Sequence, residues 1–515
     1  MDKIIILDFG GQTTQLIGRR IREAGIYTEV YNGEVSLDSI NLRNVRGFVF
    51  SGSPFSVYDS GSPRPDERIY SSGLPILGIC YGLHIIMDYF GGRVESHKTK
   101  EYGRAGVISR KKDKILSGIP DSFISWMSHG DSIVEIGDGF EIISESDNHP
   151  AIIFNKKAAI YGFQFHPEVS HCEFGSLLLE NFAHKICGAK KEWDIDIFLE
   201  KTINKIRNKI TDSKVLLLIS GGVDSTVAAG LLLKALPPEN IHLMYIDTGL
   251  MRKDESKEVE EILKTLGARN LHIIDAGKTF LSALKNITDP EEKRKIIGDL
   301  FIRVQEEEIK KLHISNYFLA QGTLYTDLIE SGKGVGNKAK TIKSHHNVNS
   351  PLVEKMRKEG RIVEPLDIFY KDEVRQLGKK LGISNSIIRR HPFPGPGLGV
   401  RIPGEITKEK CDILRDADRI FIDEIKKRNL YDRIWQAFCV LLPVRSVGVT
   451  GDSRNYSYVL ALRAITSLDG MTADVYPFKM SDLLEISSII TNSVEKIGRV
   501  VYDISSKPPS TIEWE

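Results

Sequence analysis

Residues Leu216 to Ala228 read Leu-Leu-Leu-Ile-Ser-Gly-Gly-Val-Asp-Ser-Thr-Val-Ala. An apolar strand runs into Ser220-Gly221-Gly222-Val223-Asp224-Ser225-Thr226, and a helix is expected to follow at once. Two glycines let the backbone turn tightly and approach a ligand closely. The loop N–H groups and the new helix N-terminus then converge on one spot, which suits a phosphate or pyrophosphate. Ser220, Ser225 and Thr226 add hydroxyl donors. The loop does not end in Gly-Lys-Ser/Thr, so it is not a Walker A loop.

A second constellation lies upstream. Gly78-Ile79-Cys80-Tyr81-Gly82 places a cysteine between small residues, where a strand is expected to turn into a helix. Such an elbow lifts a nucleophile out of a sheet, and the helix N-terminus favours a thiolate. Gly162-Phe163-Gln164-Phe165-His166-Pro167-Glu168 supplies a base and, two residues on, a carboxylate to orient it. Phe50-Ser51-Gly52-Ser53-Pro54 follows another strand of the same region. Its backbone, with the N–H of Tyr81, could form an oxyanion hole. A lone cysteine is usually packing and a lone histidine is usually structural. Three compatible features on one sheet edge make Cys80, His166 and Glu168 candidate catalytic residues, with Gly52 and Tyr81 as oxyanion donors.

The elements that must position these groups alternate strand and helix. Ile4–Leu7, Gly47–Ser51 and Pro75–Ile79 read as buried parallel strands, and Val107–Ile108 and Ile152–Phe154 as later, antiparallel ones. Ala189 to Asp194 reads as a linker, followed by an amphipathic helix through Ile197, Leu199, Ile203 and Ile206. Ile241–Ile246 and Leu271–Ile274 continue a second doubly wound sheet, whose ligands belong beyond the carboxyl ends of its strands. Arg390-His391-Pro392-Phe393-Pro394-Gly395-Pro396-Gly397 is a rigid, non-helical crossing. After it come a helix near Lys408–Arg428 and strands near Ser446–Val449 and Tyr458–Ala464. The expected fold is α/β, with two doubly wound α/β domains (1–190 and 191–389) and a small α+β domain (390–515).

Composition fits this. A chain of 515 residues allows about three domains. With 70 Lys+Arg against 69 Asp+Glu, nothing argues for nucleic acid as a partner. Cys80, Cys172, Cys187, Cys411 and Cys439 are scattered and never in Cys-x-x-Cys pairs. They point to a reducing, cytoplasmic setting rather than to disulfides or zinc. The N-terminus does not read as a signal peptide, and no apolar run approaches ~18 residues, so no membrane span is expected.

The first region resembles the class I glutamine amidotransferases, whose hallmark is the Gly-x-Cys-x-Gly elbow with a later His-Pro-Glu. The Ser-Gly-Gly-Val-Asp-Ser loop resembles the pyrophosphate loop of the N-type ATP pyrophosphatases. Four further segments complete the pattern: Glu291 to Gly298, Gly322 to Ser331, Ile342 to Val348, and the ending Lys507-Pro508-Pro509-Ser510-Thr511-Ile512-Glu513-Trp514-Glu515. With the His391-to-Gly399 crossing, the whole chain looks like the glutamine-hydrolysing GMP synthetase family. That resemblance implies that Cys80 attacks glutamine, His166 shuttles the proton and Glu168 orients His166. It implies that ATP adenylates xanthosine 5′-monophosphate (XMP) and that ammonia displaces AMP to give GMP. It assigns ATP to Ser220, Gly221, Gly222, Val223, Asp224, Ser225 and Thr226, with Mg²⁺ near Asp224. It assigns XMP to Arg294, Gln436, Asp452, Lys507, Ile512 and Glu513, a phosphate lid to Lys343, His345 and His346, and a Mg²⁺ or interdomain role to Asp327 and Glu330. The third domain is implied to form a homodimer. Three departures stand out. His84 replaces a usual Gln, Thr326 a usual Pro, and Asn349-Ser350-Pro351 a usual Gly-Gly-Leu-Pro. Amidation of another acceptor and a non-catalytic regulatory module are the competing readings.

Overall fold

The structure, a computed structural model, describes residues 1–146, 149–330, 351–450, 453–467 and 472–515. The chain packs as two compact units. One is Met1–Phe198 with the Tyr325–Glu330 helix, and the other is Leu199–Leu324 with the described residues from Pro351 onward.

The first unit is built on a nine-stranded sheet: β1 (Lys3–Asp8), β2 (Tyr27–Asn32), β3 (Val45–Phe50), β4 (Ile76–Ile79), β5 (Arg93–Ser109), β6 (Ser122–Glu135), β7 (Glu141–Ser146), β8 (His149–Asn155) and β9 (Ile160–Phe163), in the order β2-β1-β3-β4-β9-β8-β7-β5-β6. The run β2-β1-β3-β4-β9 is parallel, and β8, β7, β5 and β6 continue it antiparallel. Side chains alternate across each strand. Ile4, Ile6, Val49, Leu77 and Ile79 enter one core, and Ile5, Leu7, Phe48, Phe50 and Ile76 the opposite one. Both faces are therefore covered, as a parallel sheet of continuous apolar strands requires.

The linker ends in an aromatic stack. Trp193 lies 5.2 Å from the ring of Tyr27 and 4.0 Å from that of Phe198, and the Arg22 guanidinium sits 4.6 Å above it. The helix that follows spans Ile195–Ile210. Leu199, Ile203 and Ile206 are buried as expected, but Ile197 is 48% exposed and does not belong to the packed face.

The second unit carries a five-stranded parallel sheet: β10 (Lys214–Ile219), β11 (Ile241–Asp247), β12 (Asn270–Asp275), β13 (Tyr317–Ala320) and β14 (Ile362–Val363), ordered β12-β11-β10-β13-β14. A second sheet holds β15 (Gln436–Thr450), β16 (Ser453–Thr466), β17 (Asp474–Val475) and β18 (Ile497–Tyr502). The Lys408–Lys427 helix packs on it, and one apolar core runs from Leu216 and Met244 through Leu414 and Phe421 to Leu460 and Ile490. Among the described residues no helix is long and apolar enough to cross a membrane.

Candidate active sites

The cysteine elbow forms as its residue types require. Cys80 directly follows β4 with φ +51° and ψ −108°, a strained conformation for a residue with a side chain, and the Tyr81–Tyr89 helix begins at the next residue. The strain is held by a 2.7 Å hydrogen bond from the Cys80 N–H to the Phe163 carbonyl, and by the Leu83 and His84 amides donating back to the Cys80 carbonyl. The flanking glycines are steric necessities. A Cβ on Gly82 would lie 2.3 Å from the Phe50 carbonyl oxygen, and one on Gly78 only 2.6 Å from the Gly82 backbone.

His166 stands three residues beyond β9, beside Cys80, whose Sγ lies 3.9 Å from the Ser128 carbonyl oxygen. His166 Nδ1 lies 2.7 Å from Glu168 Oε1. Thr13 Oγ1 donates to the same oxygen at 2.6 Å, and Arg20 Nε donates to the Glu168 carbonyl at 3.2 Å. Glu168 is fully buried, and its Oε2 has no partner among the described residues. Burial opposes a charge on the His166 ring. The adjacent Glu168 charge and hydrogen bonds to Cys80 and Glu168 outweigh it, and the ring's pKa is raised well above the usual value. A Cβ on Gly52 would meet His166 Cε1 at 3.1 Å and Cys80 Cβ at 3.9 Å, so the Gly52 backbone lies directly against the base and nucleophile. Tyr81 opens its helix, where a first-turn N–H has no intrahelical acceptor. Cys80, His166, Glu168, Gly52 and Tyr81 thus meet at one edge of the sheet.

His84, one turn beyond the nucleophile, is buried and meets Gln164 Oε1 through its Nε2 at 2.9 Å. Burial pushes its pKa down to about 4, which keeps the ring neutral. Thr13 and Arg20 escaped the sequence reading because they reach Glu168 across 155 and 148 positions.

In the second unit, β10 delivers Ser220-Gly221-Gly222 to the Val223–Ala235 helix. Gly221 has φ +78°, and Gly222 caps the helix in an extended conformation. The hydroxyls expected to face a ligand are engaged within the loop. Ser220 Oγ lies 3.1 Å from Ser225 Oγ and accepts from the Gly222 N–H at 3.3 Å, and Thr226 Oγ1 donates to the Gly222 carbonyl at 2.9 Å. Gly322 closes against the loop, since a Cβ there would lie 3.3 Å from the Ser225 nitrogen. Asp224 Oδ2 pairs with Lys371 Nζ, while Asp224 Oδ1 is buried without a partner among the described residues. Arg390 donates to the Gly221 carbonyl at 3.2 Å and is itself held by Glu258 at 2.6 Å. No local motif marks Lys371 or Arg390 as loop partners. They arrive by tertiary packing.

Among the residues assigned to XMP, Gln436 meets Glu513 and Arg294 meets Glu515. Glu513 receives Gln436 Nε2 at 2.7 Å and two hydrogen bonds from Arg401, at 3.1 and 2.9 Å. Arg294 donates to the Glu515 main-chain carbonyl, and Lys293, fully buried, pairs with the Glu515 carboxylate and donates to the Ile402 carbonyl at 3.0 Å. Ile512 packs on the cluster of Phe438, Val440 and Ala461, and Lys507 bridges to Ala473. Asp327 lies on the Tyr325–Glu330 helix, in the first unit. Lys343, His345, His346, Asp452, Asn349, Ser350 and the side chain of Glu330 fall outside the described residues.

The family pattern described as "Glutamine amidotransferase class-I" matches residues 5–186, "NAD synthase" matches 195–304, and "GMP synthase C terminal domain" matches 423–514. A GMP synthase [glutamine-hydrolyzing] of Aquifex aeolicus is 51% identical over 513 residues, covering 99% of both chains. The chain belongs to the glutamine-hydrolysing GMP synthase family. Proteins of the same name from Caldicellulosiruptor saccharolyticus and Brucella ovis are 48% and 49% identical, with at least 99% of each chain covered. Family membership accounts for two unrelated constellations on one chain, one built around a thiol and one around a glycine loop.

Proposed function

We propose that the chain is a ligase that makes GMP from XMP, with glutamine as nitrogen donor and ATP as activating substrate. The observation that carries this is the coexistence of an assembled Cys80–His166–Glu168 triad and a Ser220–Thr226 phosphate loop on a chain of this family. At the first centre His166 takes the Cys80 thiol proton as the sulfur attacks the glutamine carboxamide carbon. The Gly52 and Tyr81 amides hold the resulting oxyanion. His166 protonates the leaving nitrogen, ammonia departs, and a thioester remains. His166 then takes a proton from water, whose attack releases glutamate and restores the thiol. Glu168 keeps the ring oriented through Nδ1 and stabilises its charge, while Thr13 and Arg20 hold Glu168 in turn.

At the second centre the loop amides and the start of the Val223–Ala235 helix bind the phosphates of ATP. The C2 oxygen of XMP attacks the α-phosphorus, pyrophosphate leaves, and ammonia displaces AMP from the adenylated purine. Arg294, Gln436, Lys507, Ile512, Glu513 and Asp452 form the XMP site in this reading, and Lys343, His345 and His346 close on the phosphates. The unpartnered, buried Asp224 Oδ1 suits a hard cation, so Asp224 is the residue that would hold Mg²⁺. Bound there, Mg²⁺ would neutralise charge on the phosphate oxygens of ATP. Asp327 and Glu330 remain candidates for a second cation contact or for coupling.

Functionally we divide the chain at 1–190, 191–389 and 390–515, and the family matches fall inside these limits. A homodimer through the last part fits the exposed Val447, Val449 and Tyr456 on the β15–β16 ribbon. The reading carries a cytoplasmic enzyme that binds no nucleic acid and no membrane. Purified chain given ATP, XMP, Mg²⁺ and ammonium must form AMP and pyrophosphate in step with GMP. An equal yield of AMP without XMP would overturn the assignment of the acceptor.

A further inference from the structure

Arg401 belongs to no catalytic motif, yet it is fully buried, at the end of the Gly397–Arg401 turn that closes the Pro-Gly crossing. Its Nε and Nη2 meet Glu513 Oε2 and Oε1 at 3.1 and 2.9 Å as a two-pronged pair. Phe438 lies 4.1 Å and Phe393 5.0 Å from the guanidinium carbon, which fixes the plane of the fork. Nη1 has no partner among the described residues. A cation without exposure is costly unless its counter-ion is held in good geometry, so this arginine and this carboxylate fix one another.

Glu513 is the less buried member, with 17% of its side chain exposed. Gln436, itself buried, donates to Oε1 from another side at 2.7 Å. Three donors therefore determine both the position and the plane of the carboxylate. An ionised carboxylate only accepts hydrogen bonds, so its open lone pairs are directed at an N–H donor. A bidentate fork sets that direction, whereas a lysine ammonium acts as a point charge and does not.

Building on the assignment of Glu513 to XMP, we propose that Arg401 is the positioning residue of the purine pocket. It holds the Glu513 carboxylate in the orientation that accepts from a ring N–H of XMP. Arg401 acts through Glu513, and its effect belongs to recognition of the purine rather than to the phosphate loop.

The test uses the full chain with ammonium as nitrogen donor and saturating ATP, following AMP formation as XMP is varied. Arg401→Lys, Glu513→Asp and Glu513→Gln are compared with the parent. Each should raise KM for XMP about tenfold or more while KM for ATP stays within about twofold. The double variant R401K/E513Q should raise KM for XMP no further than E513Q alone, because the arginine acts only through the carboxylate. A merely structural arginine would lower the melting temperature and leave the XMP and ATP constants in their parental ratio, which overturns the proposal. If R401K does not fold, Glu513→Asp decides. It keeps the charge but shortens the reach to the fork, and a parental KM for XMP overturns the proposal. If Glu513→Gln itself leaves KM for XMP unchanged, Glu513 does not read the purine, and the underlying assignment fails first.

Discussion

Thr13 Oγ1 and His166 Nδ1 converge on the same oxygen of Glu168, at 2.6 and 2.7 Å. One carboxylate oxygen is thereby locked by a hydroxyl from the first βα connection and an imidazole from beyond β9. The base is oriented by a group that is itself oriented.

Glu168→Gln removes the charge that holds the His166 ring protonated, and the ring's pKa should fall from its raised position. Glutamine hydrolysis should drop by about 10²–10⁴-fold, while AMP formation from ammonium is retained. Thr13→Val removes only one hydrogen bond and should cost far less, about tenfold. Steady-state glutaminase rates check both. A Glu168→Gln enzyme with parental glutaminase would contradict the triad.

Gly82→Ala should abolish glutaminase and destabilise the first unit, because its Cβ would lie 2.3 Å from the Phe50 carbonyl oxygen. Backbone rather than a flexible side chain would have to yield, so a cost of about 2 kcal/mol or more is expected. Thermal melting and the glutaminase rate should fall together. An intact melt with full activity would show that the elbow has room it is not expected to have.

Asp224→Asn keeps the shape of the loop and removes its charge. The requirement for Mg²⁺ in adenylation should rise about tenfold or more, and glutamine hydrolysis should persist. Titrating Mg²⁺ against pyrophosphate release decides it, and an unchanged Mg²⁺ dependence would remove Asp224 from the cation site.

Two buried histidines set an acid limit. Burial lowers His84 and His391 to about 4, so both are neutral in the fold but take up protons when unfolded below about 6.5. For these two groups the unfolded state binds more protons in this window, so their contribution to stability is complete above pH 6.5 and is lost as pH falls toward 4. Each histidine adds a slope of about 1.4 kcal/mol per pH unit to the unit that contains it. His84→Gln should flatten the acid limb for the first unit in urea melts at pH 5 and 7. The same pH dependence in the variant would rule out His84 as its source.

The sequence revealed the parts of the sites that are local. Glycines placed on either side of Cys80, and in Ser220-Gly221-Gly222, declare their backbone requirements within five or six residues, and both turns form as expected. Continuous apolar strands likewise announced the parallel core of the first sheet and the parallel sheet of the second unit. What stayed hidden is what holds the reactive groups. Thr13, Arg20, Lys371, Arg390 and Arg401 act on residues far along the chain, and an arginine in a proline-rich crossing looks like any other until Glu513 is packed against it. Ile197 shows the converse limit, since its helical period was right and its face was wrong by a fraction of a turn.

The most direct test of two reaction centres on one chain is Cys80→Ala, assayed for AMP and GMP with ATP, XMP and Mg²⁺, once with glutamine and once with ammonium. Loss of synthesis from glutamine with retention of the ammonium-driven reaction is the predicted result. Equal loss of both, or synthesis from glutamine that survives, would contradict it.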